Sequence, residues 1–351
     1  MDFHVVDKFN QASSFLKHRD IYLFSGISIE NTDTKSSIIY DDKVIRHELS
    51  WFSKNNWLKK SQPFKNIVKA ALYPLQILLL RRLVNKNKNS IFHSFTMYYA
   101  LLCYFSRLRS IVTPQGSEVL QRIDRSKVYK YFAIRALNFA SDIIVDSIQM
   151  QNKLLEYGVY SSVFKNGFNT EVLLKLSSIK QKRDKVTSIR GFRSLYRIDH
   201  IVNARNSSAQ NTALEFVYPS FDEHYKDSLK DRLKNEDNDL GMLDKTELYD
   251  LLIRSKLVIS IPMSDSSPRS VYEAIFAGAA VAVTHAPYLE ELPDCMKKRI
   301  IVTDINEPNW FNQALSFSES TIKEPYIPSE EALNICDSNR TMEKICKGFY
   351  S

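Results

Sequence analysis

The sequence predicts an α/β protein built from two domains, on three observations. An apolar run, a helix-patterned segment and a second apolar run follow one another in three places, at 90–113, 139–164 and 257–284. That order builds parallel sheets through crossover helices. Glycine is scarce, 8 in all, and those at 116, 158, 167, 191, 241 and 278 fall at apparent turns or element ends rather than inside periodic segments. The length of 351 residues exceeds one ordinary core and suits two α/β domains of about 150–200 residues each.

Composition narrows the class. Hydrophobic residues make up 44% and charged residues 25%, as in soluble globular proteins. Cys103, Cys295, Cys336 and Cys346 show no close paired spacing, so neither a disulfide framework nor a zinc site is expected, and a reducing cytoplasm accounts for them. The first residues, MDFHVVDKFNQASS, carry acids early and no apolar core, which argues against a signal peptide. No stretch reaches the roughly 18–20 apolar residues of a membrane span. Basic charge is concentrated in one region. Between Glu48 and Glu118 there is no acid and there are eleven Lys or Arg, against a net charge of +8 for the whole chain.

Taken in order, residues 21–48 read as strands, IYLFSGISI, SSIIY and KVIRHEL, separated by polar turns. Residues 51–84 mix Lys and Arg with Trp51, Phe52, Trp57, Phe64 and Tyr73. Phe64, Ile67, Val68, Ala71 and Leu72 share one helical face, and Pro74 is expected to kink or split that helix. This region reads either as a helix pair with solvated lysines or as a surface docking on an anionic membrane, where each basic residue contributes about 1 kcal/mol. The sequence holds no recognisable nucleic-acid module, so nucleic acid is not an expected partner.

The unit at 90–113 places a strand at 90–93, a helix over 97–107 and a strand at 110–113 that ends in Pro114-Gln115-Gly116-Ser117-Glu118. In the next unit 142–145 is a strand, Ser147 caps a helix running to Tyr157, and Gly158 ends it. Val163-Phe164 then leads into Lys165-Asn166-Gly167-Phe168-Asn169, and a polar linker is expected near 176–185. Beyond it come strands at 186–190 and 216–218, a capped helix after Gly241 and a last strand at 300–303. The tail, SEEALNICDSNRTMEKICKGF, is helical in pattern.

The stretch 257–284 organises the rest. A strand at 257–261 is closed by Pro262, a polar loop follows, and Ser267-Pro268 gives a helix start, with Ser267 as cap and Pro268 at the first helical position. Gly278 stops the helix and a strand follows at 279–284. The loop would lie at the carboxyl edge of a parallel sheet, where open α/β proteins bind ligands. Amides near Ser266, Ser267 and Arg269 would suit phosphate there. Asp265 and Glu273 bracket the loop with seven residues between them. Arg269 and Glu273 also stand four apart and would equally form an ordinary helix-surface pair, worth about 0.2–0.5 kcal/mol.

The arrangement Asp265-SSPRSVY-Glu273-AIFAGAAVAVT resembles the Glu-x7-Glu motif of retaining glycosyltransferases of the GT-B fold, the family-4 type that uses nucleotide sugars. The likeness extends over roughly residues 90–310. It implies an α/β, GT-B architecture, two Rossmann-like domains facing a central cleft: an acceptor-side domain at 1–180, a nucleotide-sugar-binding domain at 181–330, and a terminal helix at 331–351 crossing back to the first. In such enzymes the first acid contacts hydroxyls of the donor sugar, the amides between hold the diphosphate and the second acid holds the ribose. Those roles fall on Asp265, on Ser266, Ser267, Arg269 and Ser270, and on Glu273. Asp in place of Glu shortens the first reach by one methylene.

Arg190 matches the family's Arg on the diphosphate. No Lys follows it at the family's position, so the resemblance assigns that role to Arg193 or Arg197, since a guanidinium clamps phosphate bidentately. Met242 and Leu243 would pack on the base. Gln115, beside Gly116, takes the place of a His that lies next to the donor sugar in related enzymes, and His93 is close in sequence. Gln115, His93 and Asp265 are thus the candidate catalytic residues, and Gly26 either brings a loop near the donor phosphates, as in such enzymes, or forms a plain turn. The implied function is transfer from a nucleotide-diphosphate sugar to a saccharide or lipid-linked saccharide acceptor with retention, in bacterial surface polysaccharide synthesis. No cofactor or metal is expected, and the location is the cytoplasm or the inner face of the cell membrane. A catalytically inactive donor-binding or scaffolding subunit and an epimerase-type enzyme on the same fold are the alternatives.

Overall fold

A computed structural model describes residues 12, 15, 21–25, 44–48, 62–86, 90–179 and 181–350. The chain divides into two compact units, Met1–Lys165 with Asn339–Ser351, and Asn166–Ser338.

The second unit is built on six parallel strands: β7 (Lys185–Ser188), β8 (Leu214–Val217), β9 (Asn238–Gly241), β10 (Ser255–Ser260), β11 (Ala280–Val283) and β12 (Ile300–Val302), in the spatial order β12-β11-β10-β7-β8-β9. That is the doubly wound dinucleotide-fold order, whose direction reverses between its first and fourth strands, here β7 and β10. Burial on both faces explains why the inner segments β8, β10 and β11 form strands. Leu257, Ile259 and Ile261 enter one core with Ala280 and Ala282, while Val258, Val281 and Val283 enter the other, as a period of two requires. The helices Ile198–Ser207 and Trp310–Thr321 contribute Ile201, Val202, Trp310 and Phe311 to the first of these cores. Helices Thr170–Ser177, Lys245–Arg254 and Arg269–Phe276 cover the opposite face.

Gly278 ends the Arg269–Phe276 helix at φ 86°, a left-handed conformation that costs an L-residue roughly 1–2 kcal/mol. Arg183 donates to the Ala277 carbonyl at 2.6 Å and Arg299 to that of Gly278 at 3.2 Å, so two cations complete the negative end of the helix.

The first unit carries a four-stranded parallel sheet, β3 (His93–Phe95), β4 (Ile111–Thr113), β5 (Asp142–Val145) and β6 (Ser162–Val163), in that order. Val112, Ile143 and Val145 face the core under the helices Met97–Phe105, Lys127–Phe139 and Ile148–Leu155. Ile111 and Ile144 face the other way, onto Met342 and Ile345 of the terminal helix Ser338–Phe349. Ser147 does cap its helix, accepting from the Met150 amide at 3.3 Å, and Gly158 beyond it has φ 69°.

Two expectations are corrected. The helix Gln62–Lys86 runs unbroken through Pro74: Tyr73, Ile77, Leu80 and Val84 anchor it in a cluster with Leu102 and Leu108, and that packing outweighs the missing amide. Of the strands expected in 21–48, β1 (Ile21–Ser25) and β2 (Val44–Glu48) form and pair parallel. SSIIY, Gly26, Trp51, Phe52 and Trp57 lie outside the described residues. The second correction concerns Ser267, which does not cap the Arg269–Phe276 helix. Among the described residues no helix is long and apolar enough to cross a membrane.

Candidate functional site

The carboxyl ends of β7 and β10 sit side by side where the strand order of the second unit reverses. Such a reversal opens a crevice between the loops that leave the two strands. Arg190 leaves β7 into this crevice. Its Nε donates to Ser260 Oγ, at the end of β10, at 2.8 Å, and its Nη2 pairs with Asp265 Oδ2. Neither of these bonds uses Nη1. Gly191 follows because a Cβ there would stand 2.3 Å from the Ser220 carbonyl oxygen. Arg193 is exposed and Arg197 is half-buried on the same loop, Arg197 with φ 54° at the start of the Ile198–Ser207 helix.

The β10 loop differs from its sequence reading. The helix starts at Arg269, Pro268 occupies the cap position, and no side chain caps it. The amides of Val271 and Tyr272 return to the Pro268 carbonyl at 2.9 and 3.2 Å, while the earlier amides of such a turn have no intrahelical acceptor. Ser267 turns inward instead, where its hydroxyl and those of Tyr272 and Ser188 are buried without a hydrogen-bond partner. Burial raises the Tyr272 phenol well above its usual range; Ser267 stands beside it off hydrogen-bond geometry, and Tyr288 and Asp265 add to the rise. Ser266 and Ser270 are half-buried on the same turn.

Glu273, one turn into the helix, is buried with its Oε1 facing three donors: Lys245 Nζ at 2.5 Å, Arg269 Nε at 3.1 Å and the Tyr249 hydroxyl at 3.5 Å. All three converge on Oε1. Burial by itself raises the Glu273 pKa, but the Lys245 and Arg269 cations outweigh it and hold the carboxyl below its ordinary value. Arg269 and Glu273 therefore form a buried pair rather than a surface one.

Lys245 was not among the sequence candidates. It is the first residue of its helix, just after Asp244, which forms a reciprocal cap with Glu247. Met242 and Leu243, half-buried in the loop before it, stand next to this cluster in the chain. The sequence signal for Lys245 was the Asp-x-x-Glu cap that fixes the helix start.

In the first unit, the loops after β3 and β4 are tied by Glu118. Its Oε2 accepts from the Met97 and Gln115 amides, both at 2.9 Å. Burial raises its pKa more than these amides and Arg122 lower it. Gln115 is exposed on this loop with Gly116 half-buried beside it. His93 is engaged at both ring nitrogens, Nδ1 with the Tyr350 hydroxyl and Nε2 with Thr113 Oγ1 at 2.7 Å, and it stacks on Phe95 at 4.2 Å. It bridges β3, β4 and the terminal segment, a positioning arrangement within the first unit.

No protein-family model and no curated protein matches this chain. Solved structures do. HepE of Anabaena in complex with UDP superposes with a TM-score of 0.64 at 15% identity, over 89% of this chain and 93% of that one. Sucrose-phosphate synthase of Thermosynechococcus elongatus gives 0.73 at 12% identity, over 99% and 92%. A UDP-forming α,α-trehalose-phosphate synthase of Burkholderia xenovorans gives 0.62 at 9%, over 80% and 78%. At these identities the likeness shows the fold: two Rossmann-like domains in the GT-B arrangement of glycosyltransferases.

Proposed function

We propose that this protein transfers a sugar from a nucleoside-diphosphate sugar to a saccharide or lipid-linked saccharide acceptor, with retention at the anomeric carbon, as a family-4-type enzyme of bacterial surface polysaccharide synthesis. One observation carries the reading: Arg190, Asp265 and the Arg269–Phe276 helix start meet at the strand-order reversal, with Glu273 held ionised one turn along. The structural neighbour HepE was solved with UDP and with UDP-glucose, which supports a uridine nucleotide as the first donor to try.

Each residue then has a task. As the bond from the anomeric carbon to the diphosphate oxygen breaks, charge develops on the leaving phosphate. Arg190 Nη1, with Arg193 or Arg197 and the first-turn amides, would meet that charge more strongly in the transition state than in the ground state. The Glu273 carboxylate would accept from ribose hydroxyls, and Asp265, oriented by Arg190, from hydroxyls of the transferred sugar. Met242 and Leu243 would flank the base. In this reading arginines and amides rather than a metal carry the charge, so chelation should leave turnover unchanged.

A thermal-shift panel of UDP, GDP, CDP and ADP with their sugars tests the binding half. A ligand at 100 times its Kd adds ~2.7 kcal/mol, several degrees of melting temperature. A matching nucleotide sugar should then give a product of the donor's anomeric configuration. Stabilisation by none of the four nucleotides overturns the reading. Nucleotide binding without turnover on any acceptor favours the inactive donor-binding subunit, which Gln115 at the family's His position supports.

A further inference from the structure

We infer that the first unit docks on anionic membrane through one face shared by the helices Gln62–Lys86 and Lys127–Phe139. The sequence has two acid-free runs in this unit, 49–117 and 125–141, and the second carries Arg125, Lys127, Lys130 and Arg135. They are separated in sequence by Glu118 and Asp124, and the fold brings them together. The helix Met97–Phe105 packs against both long helices, and Phe105 at its end joins them: its ring meets Tyr73 at 6.1 Å and Phe132 at 5.7 Å. Arg81 donates to the Phe105 carbonyl at 2.8 Å, and the Arg135 guanidinium lies 4.3 Å over the Tyr131 ring.

The outer side of this layer is apolar where a solvated face would be polar. Leu75 is 49%, Leu78 56%, Val128 69% and Tyr131 52% exposed. Leu75, Leu78 and Arg82 share one side of their helix by spacing, away from Leu80 and Tyr73, which enter the core. Scattered exposed leucines need no explanation, but exposed aliphatic side chains interleaved with arginine along two acid-free runs do.

Charge complementarity selects a polyanionic partner, and the aliphatic residues select its kind. Nucleic acid is gripped by cations and stacked aromatic rings, which leaves Leu75, Leu78 and Val128 without a partner. A lipid interface takes both kinds of side chain, cations at the headgroups and apolar groups just below them. Nucleotide binding by the second unit plays no part in this contact.

The test is sedimentation of the full chain with vesicles of phosphatidylcholine alone and with phosphatidylglycerol added, at low and high salt. The wild-type chain should pellet only with the anionic vesicles, with a remnant that survives high salt. The combined variant Arg82→Gln, Lys127→Gln, Arg135→Gln should bind about a hundredfold more weakly, at ~1 kcal/mol for each basic residue near the surface. The variant Leu78→Ser, Tyr131→Ser should keep the salt-sensitive part and lose the remnant. All five side chains are exposed, and unchanged melting of each variant confirms that it folds. Equal pelleting with neutral and anionic vesicles, or variants that pellet like the wild type, overturns the inference. So does tight binding of single-stranded polynucleotide by a chain that ignores both vesicles.

Discussion

Among the described residues, Glu118 of the first unit and Glu273 of the second are both buried beside loops at the carboxyl edge of their sheets, and the two are held in opposite ways. Burial pushes both carboxyls up. Around Glu118 the main opposing partners are backbone amides, and its pKa stays raised. Around Glu273 they are the full charges of Lys245 and Arg269, and its pKa is lowered. Dipoles soften the cost of burying a carboxylate, whereas adjacent cations reverse it. Glu118 thus reads as a clasp between two loops, and Glu273 as a carboxylate held as an anion beside the loop after β10.

The largest expected effect breaks the clasp. Glu118→Ala strands two amides, at about 1–3 kcal/mol for each buried group left unsatisfied, and should lower the melting temperature by several degrees. Glu118→Gln keeps an accepting oxygen and should melt within a degree or two of wild type. Equal losses in the two variants would mean that charge, not acceptance, holds these loops.

On the other side of the comparison, Arg190→Ala should weaken UDP binding about tenfold to a hundredfold, since a charge-assisted bond contributes roughly 1.5–3 kcal/mol. Uridine affinity should hardly change, because a phosphate clamp does not touch the base. Parallel losses for both ligands would make Arg190 a structural strut for Asp265.

A smaller effect sharpens the electrostatic contrast. The folded pKa of Glu273 lies below its unfolded value, so its contribution to stability is present above the unfolded value, about pH 4.3, and is lost as pH falls through the lower folded one. Lys245→Met removes one of the two cations, so the loss should begin at higher pH. Melting curves of wild type and variant between pH 3 and 7 would show this as an earlier fall, and superimposable profiles would mean that Arg269 alone sets the charge.

The fold was legible where burial on both sheet faces writes long apolar runs, as in β10 and β11, and where a cap or stop is local, as at Ser147 and Gly278. It was illegible where distant packing decides. Pro74 stays inside a helix because Tyr73 and Ile77 are anchored on a neighbouring helix. Ser267 looked like a cap, yet its hydroxyl is drawn into the interior. Thr96, a β-branched residue at φ 79°, holds a strained corner by donating its backbone N–H to the Thr113 carbonyl at 2.9 Å, and nothing local marks it. In the site, spacing alone placed Asp265 and Glu273 around one loop, but the pairing of Glu273 with Lys245 spans 28 positions and has no sequence period to reveal it. Similarly, the guanidinium of Arg190 was assigned to phosphate, while its bond to Asp265 across 75 positions appears only once β7 and β10 are neighbours.

The central claim is that the crevice between β7 and β10 holds a nucleoside diphosphate, with the ribose on Glu273. Calorimetric titration of UDP into the wild-type chain and into Glu273→Gln tests it most directly, with melting curves to confirm that both are folded. The account predicts binding to the wild type and affinity about tenfold to a hundredfold weaker in the variant, the roughly 1.5–3 kcal/mol of a charge-assisted hydrogen bond. Unchanged affinity in a folded Glu273→Gln chain would contradict it.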